Sequence, residues 1–235
     1  MKPVLVLQHL PDDGPAYLAT WLEQQGIAMD LRGAAELYPN DLCGHRALAV
    51  LGGEMSANDD LPALRLGEAL IRDAVARGLP VIGHCLGGQL MAKALGAAVV
   101  SAAQQEIGWQ RIDWDPKAVD WFGDAVAQRP TPEVFEWHRD AFELPAGASW
   151  LAGNAASANQ AFSIGPHLAM QFHVEVDQHK LEVWTRDHDP SDYTNRGIDT
   201  GSIQSVIEIH RGAAARLAAQ QRLAANAYRR WLSHC

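Results

Sequence analysis

The sequence predicts an α/β fold: an open, mixed, mainly parallel sheet flanked by helices, with a small antiparallel side sheet and a helical C-terminal tail. Three observations predict it. In the first half, short apolar β-rich runs alternate with helical patterns, which implies crossover connections and a parallel sheet covered on both faces. From Ala98 to about Ala169 the pattern shortens to β-like pieces separated by turn-rich stretches such as RPTPE (Arg129–Glu133) and LPAGA (Leu144–Ala148). Finally, Ile203–Leu232 is rich in Ala, Arg, Gln and Leu at helical spacing.

Each element follows from its residues. Pro3–Leu7 (PVLVL) reads as a buried strand, Pro15–Gln25 as a helix ended by Gly26, and Ala28–Leu31 as a second, weaker strand. Ala47–Leu51 (ALAVL) runs into the glycine pair Gly52 and Gly53. Leu61–Arg77 is a helix with apolar spacing at Leu64, Ala69, Leu70 and Val75, stopped by Gly78. Pro80–Gly83 (PVIG) is a further buried strand, followed by a helix from about Gly87 to Leu95. The side-sheet pieces are Val99–Ser101, Trp109–Trp114, Val134–Trp137, Trp150–Ala152, Ala161–Ile164 and Ala169–Phe172. The tail is interrupted only by Gly212, so one or two helices are expected there. No linker is long or polar enough to separate two cores, so residues 1–190 are expected to form the domain and residues 191–235 a helical extension packed on it.

Composition narrows the function. The 235 residues are 48% apolar and carry 19 Lys and Arg against 28 Asp and Glu, a net charge of −9. That balance disfavours nucleic acid and anionic membranes, which call for clustered cations, and favours small-molecule chemistry. Cys43, Cys85 and Cys235 are too few and too dispersed for a disulfide framework. Met1–Leu10 reads as a first strand instead of a signal peptide, and no run approaches a membrane span, so a cytoplasmic location is expected.

The strongest local signal is GHCLGGQ, Gly83–Gln89, where a buried strand turns sharply into a helix. A nucleophile elbow needs small residues two before and two after the nucleophile, because the tight turn crowds neighbouring backbone against it. Gly83 and Gly87 leave that room around Cys85, and the helix N-terminus favours a thiolate. The Leu86 N–H would point toward an oxyanion formed on attack by Cys85. The plainer alternative is a core cysteine beside a tight helix start. In QFHVEV (Gln171–Val176), strand periodicity puts His173 and Glu175 on one face, so the carboxylate can orient the imidazole that addresses Cys85. Alone, an HxE pair is a surface strand; beside a glycine-flanked cysteine it reads as a triad. GGEMSAND (Gly52–Asp59) ends another predicted parallel strand, facing the same crevice, and the Gly53 N–H could complete the oxyanion hole.

These three motifs, in this order and at these separations, resemble the class I glutamine amidotransferase family, with its flavodoxin-like sheet, and in particular stand-alone proteins similar to the amidotransferase part of GMP synthase. EIGW (Glu106–Trp109) and EWHRDAFELPAGA (Glu136–Ala148) resemble further segments of that group. The resemblance covers roughly Val4–Val176. It implies Cys85 as nucleophile, His173 as general base and acid, Glu175 as its orienter, Gly53 and Leu86 as oxyanion donors, and Gln89 as a substrate contact, with His138 a further candidate contact in the WHRD segment. It implies no cofactor or metal. Three positions depart from the family pattern: Val174 replaces a proline, His84 replaces an aliphatic residue, and Glu54 follows the glycine loop where a proline is common. The implied substrate is glutamine or a γ-glutamyl small molecule, and ammonia would pass to water or to a separate synthase subunit.

Other features read more blandly. The remaining histidines lack metal-ligand spacing, Trp109, Trp114, Trp121 and Trp137 suit packing, and the C-terminal arginines suit a solvated helix face. Two other function classes fit less of the sequence. A cysteine hydrolase resembling dienelactone hydrolase does not explain His173 and Glu175 two apart, and a non-catalytic binding protein would be expected to have lost a triad member.

Overall fold

A computed structural model describes residues 2–36, 41–186, 189–190 and 202–235. The apolar runs form the parallel core of an eight-stranded sheet: β1 (Val4–Gln8), β2 (Met29–Gly33), β3 (Ala47–Val50), β4 (Val81–His84) and β10 (His167–Met170). Its order is β2-β1-β3-β4-β10-β9-β8-β6, with β6 (Asp113–Trp114), β8 (Ser149–Gly153) and β9 (Ala161–Ile164) added antiparallel beyond β10. Alternation along each central strand feeds two cores. Val4, Val6, Ala47 and Ala49 face one layer, and Leu5, Leu7, Leu48 and Val50 the other. Helix α1 (Tyr17–Gln24), the short α4 (Val119–Phe122) and α6 (Val206–Leu232) cover the first face; α2 (Pro62–Ala76) and α3 (Leu86–Ala94) cover the second.

The expected side sheet is two structures. One is the antiparallel edge just described. The other is a separate two-stranded ribbon of β5 (Val99–Arg111) and β7 (Glu133–Phe142). Sequence reading divided β5 because its ladder is interrupted between Ser101 and Glu106, where alternation lapses. It also stopped β7 short, since the polar run beyond Trp137 is satisfied internally and does not look like a strand.

The tail is a single helix from Val206 to Leu232, opened by a capping box in which Ser205 and Glu208 bond reciprocally. Gly212 does not break it. A Cβ there would collide with the indole of Trp109, whose Nε1 donates to Ile209 O at 3.0 Å. Glycine is thus set by a close packing approach, at a helix-propensity cost of about 1 kcal/mol. Leu223, Ala224, Ala227, Tyr228 and Trp231 join the main core, and the boundary drawn at 191 falls outside the described residues.

Candidate active site

Strands β1, β3, β4 and β10 run parallel, so their carboxyl ends meet along one edge of the sheet. There the chain builds a cleft of about 570 Å³ whose lining includes Gly53, Cys85, Gln89, Trp137, His173 and Trp184. Cys85 leaves β4 with φ 49° and ψ −110°, a left-handed conformation for a non-glycine residue, and caps α3. Its N–H donates to Met170 O at 2.8 Å, tying the turn to β10. The flanking glycines are required sterically: a Cβ on Gly83 would come within 2.6 Å of the Gly87 carbonyl group, and one on Gly87 would strike Val50 O.

His173 and Glu175 lie past the end of β10, which stops at Met170, so strand periodicity is not what pairs them. A turn does: His173 Nδ1 lies 2.7 Å from Glu175 Oε1, which leaves Nε2 for a hydrogen bond with Cys85. Both residues are buried. His173 is fixed through its backbone, its N–H donating to Phe135 O at 2.8 Å and its carbonyl accepting from Gln220 Nε2 of α6 at 3.0 Å. Burial pushes the His173 pKa down, but Glu175 and Cys85 more than reverse this, leaving it well above the ordinary histidine value. Burial pushes Glu175 up, and His173, His84 and Lys180 reverse that, holding it below the usual carboxylate range. The Cys85 sulfur also accepts from Gln171 Nε2 at 3.4 Å.

Gly52 and Gly53 cross the mouth of this arrangement. A Cβ on Gly52 would sit 3.0 Å from His173 Cε1, so a larger residue there would press on the imidazole. Leu86 is the first residue of α3 and its N–H has no intrahelical acceptor. Among the described residues, no group of three or more His, Cys, Asp or Glu side chains could hold a metal, and no helix is long and apolar enough to cross a membrane.

Comparisons with known proteins give the family. Residues 33–183 match the family model for glutamine amidotransferase class-I. The chain belongs to the class I glutamine amidotransferase family. It is 30% identical over 191 residues to the glutamine amidotransferase-like protein YfeJ of Salmonella typhimurium, covering 77% of this chain and 79% of that one. It is 32% identical over 171 residues to the glutamine-hydrolyzing GMP synthase of Thiobacillus denitrificans, which is 65% of this chain but only 32% of that enzyme. Among solved structures, a glutamine amidotransferase from Methylobacillus flagellatus superimposes with a TM-score of 0.87 at 35% identity, covering 100% of this chain and 95% of that one. One from Thermotoga maritima, 24% identical with a TM-score of 0.84 over 98% of both chains, shares the fold.

Within this amidotransferase cleft the sequence-named residues are distributed unevenly. Cys85, His173, Glu175, Gly53 and Leu86 converge. Gln89 lines the cleft, but both its amide protons are committed, to Asp140 O at 3.0 Å and Gln171 Oε1 at 3.3 Å, so only its Oε1 is left for a ligand. His138 also lines the cleft and has close ionic neighbours. Its ring is buried, with Nε2 3.2 Å from Glu106 Oε2 and 3.3 Å from Glu136 Oε2 and Nδ1 3.0 Å from Asp140 O. The imidazole thus stands between β5 and β7 at the wall of the cleft that Cys85 and His173 also line. Of the family departures, His84 points into the core with its Nε2 3.3 Å from Tyr228 Oη, and Val174 is core as well. Sequence reasoning missed Gln171, Gln220, Lys180 and Trp184. Gln171, two residues before His173, carried a usable signal; Lys180 and Trp184 reach the site from α5 (Gln178–Trp184), just after it, and Gln220 from the remote α6.

Proposed function

We propose that the chain hydrolyses the γ-amide of glutamine or of a γ-glutamyl compound through a Cys85–His173–Glu175 triad and a γ-glutamyl thioester. The observation that carries this reading is the strained Cys85 elbow facing an imidazole already paired to a buried carboxylate. Attack of the Cys85 thiolate on the amide carbonyl forms a C–S bond and places the carbonyl electron pair on oxygen, toward the N–H groups of Leu86 and Gly53. Collapse breaks the C–N bond as His173 gives its proton to the departing nitrogen. The same imidazole then takes a proton from water, whose oxygen attacks the thioester and releases the γ-carboxylate and Cys85. Glu175 stays ionised and keeps Nδ1–H oriented.

Two versions share this chemistry. In the first, ammonia is the leaving group and is lost to water or passed to a separate synthase subunit, the arrangement suggested by similarity to one part of GMP synthase. In the second, the enzyme is a γ-glutamyl peptidase acting on peptides or conjugates. The cleft volume favours keeping the second, because glutamine alone would fill only part of about 570 Å³.

Incubation of the protein with glutamine and with a panel of γ-glutamyl peptides, measuring ammonia and released amine, separates them. Glutamate is expected from at least one class. Rapid peptide cleavage with negligible ammonia selects the peptidase; ammonia from glutamine selects the glutaminase. If neither turns over and a γ-glutamyl-like electrophile leaves Cys85 unlabelled, the proposal is wrong.

A further inference from the structure

Glu175 is held by something besides His173. Its side chain is fully buried and its Oε2 has no hydrogen-bond partner, an arrangement that an isolated carboxylate would not sustain without a nearby cation. Besides the imidazole of His173, a cation stands on the Oε1 side of the carboxylate, on α5 (Gln178–Trp184). Lys180, itself only 5% exposed, places Nζ 2.6 Å from Asp13 Oδ1, 2.7 Å from Gly14 O and 3.9 Å from Glu175 Oε1. The same ammonium lies 5.0 Å from the ring centre of Trp184, one helical turn on, and that ring meets His173 edge-on at 4.8 Å. The segment after β1 is tied to the same place by its backbone, Tyr17 N–H donating to Glu175 O at 2.9 Å.

We propose that Lys180 is a positioning residue of the Cys85 centre: anchored on the Asp13–Gly14 loop, it holds a positive charge against the Glu175 carboxylate and sets Trp184 against the far side of His173. α5 thus braces both members of the His–Glu pair from one face. The charged and titratable groups around it are Asp13 and His9 from β1 and its following loop, His84 from β4, Tyr228 from α6, and Cys85, His173 and Glu175 themselves. Lys180 is the fixed cation among them. Its removal makes Glu175 hold its proton to higher pH and weakens the hold of that carboxylate on His173, the base that faces Cys85. The inference rests on reading Glu175 as the orienter of His173.

The test compares the full-length wild type with Lys180→Met, Lys180→Arg and Asp13→Asn/Lys180→Met, the last removing the carboxylate that the single methionine variant would leave unpaired. Cys85 alkylation by iodoacetamide is followed against pH, alongside kcat/KM on whichever γ-glutamyl substrate turns over. In Lys180→Met the acid limb of alkylation is expected to move up by about half a pH unit or more, with kcat/KM falling about tenfold. The double variant should move it in the same direction by less, and Lys180→Arg should return it to the wild-type position. An unmoved limb in both methionine variants, with only thermal stability lost, would overturn the proposal and leave Lys180 a packing residue. Alkylation reports on the centre without any turnover. A shifted limb in a protein that hydrolyses no γ-amide would therefore refute the proposed function and keep this inference.

Discussion

Replacing Cys85 with alanine is expected to remove γ-amide hydrolysis by about 10⁴-fold or more, with folding intact. The loss is large because in the proposed reaction the sulfur forms the covalent bond; the proposed oxyanion donors and the His173–Glu175 pair then have nothing to act on without it. The fold should barely respond, since alanine keeps the backbone of the elbow and loses one buried atom, a change of about 1 kcal/mol. Because the triad acts as a unit, His173→Asn should cost a similar factor, and the Cys85→Ala/His173→Asn double variant should be no worse than either single one. Rate measurements beside thermal melts check this. A Cys85→Ala protein that keeps more than about a tenth of wild-type activity would remove Cys85 from the nucleophile's role.

Replacing His138 with alanine should produce the largest loss of stability. Its imidazolium stands between Glu106 and Glu136, and Glu106 is further tied by Asn154 Nδ2 and Gln160 Nε2, each at 2.6 Å. Removing the shared cation leaves two buried carboxylates facing one another, at a cost of about 3–5 kcal/mol. For a chain of this size that lowers Tm by roughly 6–20 °C. The pH dependence carries a second signature. Burial raises Glu136 from 4.5 to about 7 against the pull of His138, and the two glutamates raise His138 from 6.5 to about 10 despite burial. In both cases the folded chain keeps a proton that the unfolded chain has released. Stability from His138 is therefore complete below pH 6.5 and lost as pH rises toward 10, while Glu136 adds a decline between 4.5 and 7. His138→Ala should remove the imidazole's part of the decline and, by freeing Glu136 from its cation, extend the carboxyl's own decline to higher pH, and Glu136→Gln should recover part of the lost Tm. A variant with wild-type Tm and an unchanged pH profile would show that the carboxylates do not depend on His138.

The parts of this molecule legible in its sequence are those where one local constraint dominates. Strands β1, β3 and β4 are buried on both faces, so they read as unbroken apolar runs. The elbow is legible because Gly83 and Gly87 answer to steric crowding within a few residues of Cys85. The pairing of His173 with Glu175 was anticipated through strand periodicity, although a turn beyond β10 is what brings them together. What stayed hidden depends on residues remote in the chain. Asp13 and Lys180 each look like an ordinary surface charge until β1 and α5 meet beside Glu175. The ionic contacts of His138 in WHRD stay hidden because nothing nearby announces Glu106 as its partner across the ribbon. Gln220 sits in a helix expected to pack on the body, with nothing local to mark it: it accepts from Phe135 N–H at 2.8 Å and holds the His173 carbonyl.

The most direct measurement is mass spectrometry of the protein quenched in acid during turnover of glutamine or a γ-glutamyl peptide. The expected result is one added γ-glutamyl group, mapped to the peptide containing Cys85, absent from Cys85→Ala and lost on treatment with hydroxylamine. Steady consumption of substrate with Cys85 unmodified throughout, or an adduct carried by a different residue, would contradict thioester catalysis at this elbow.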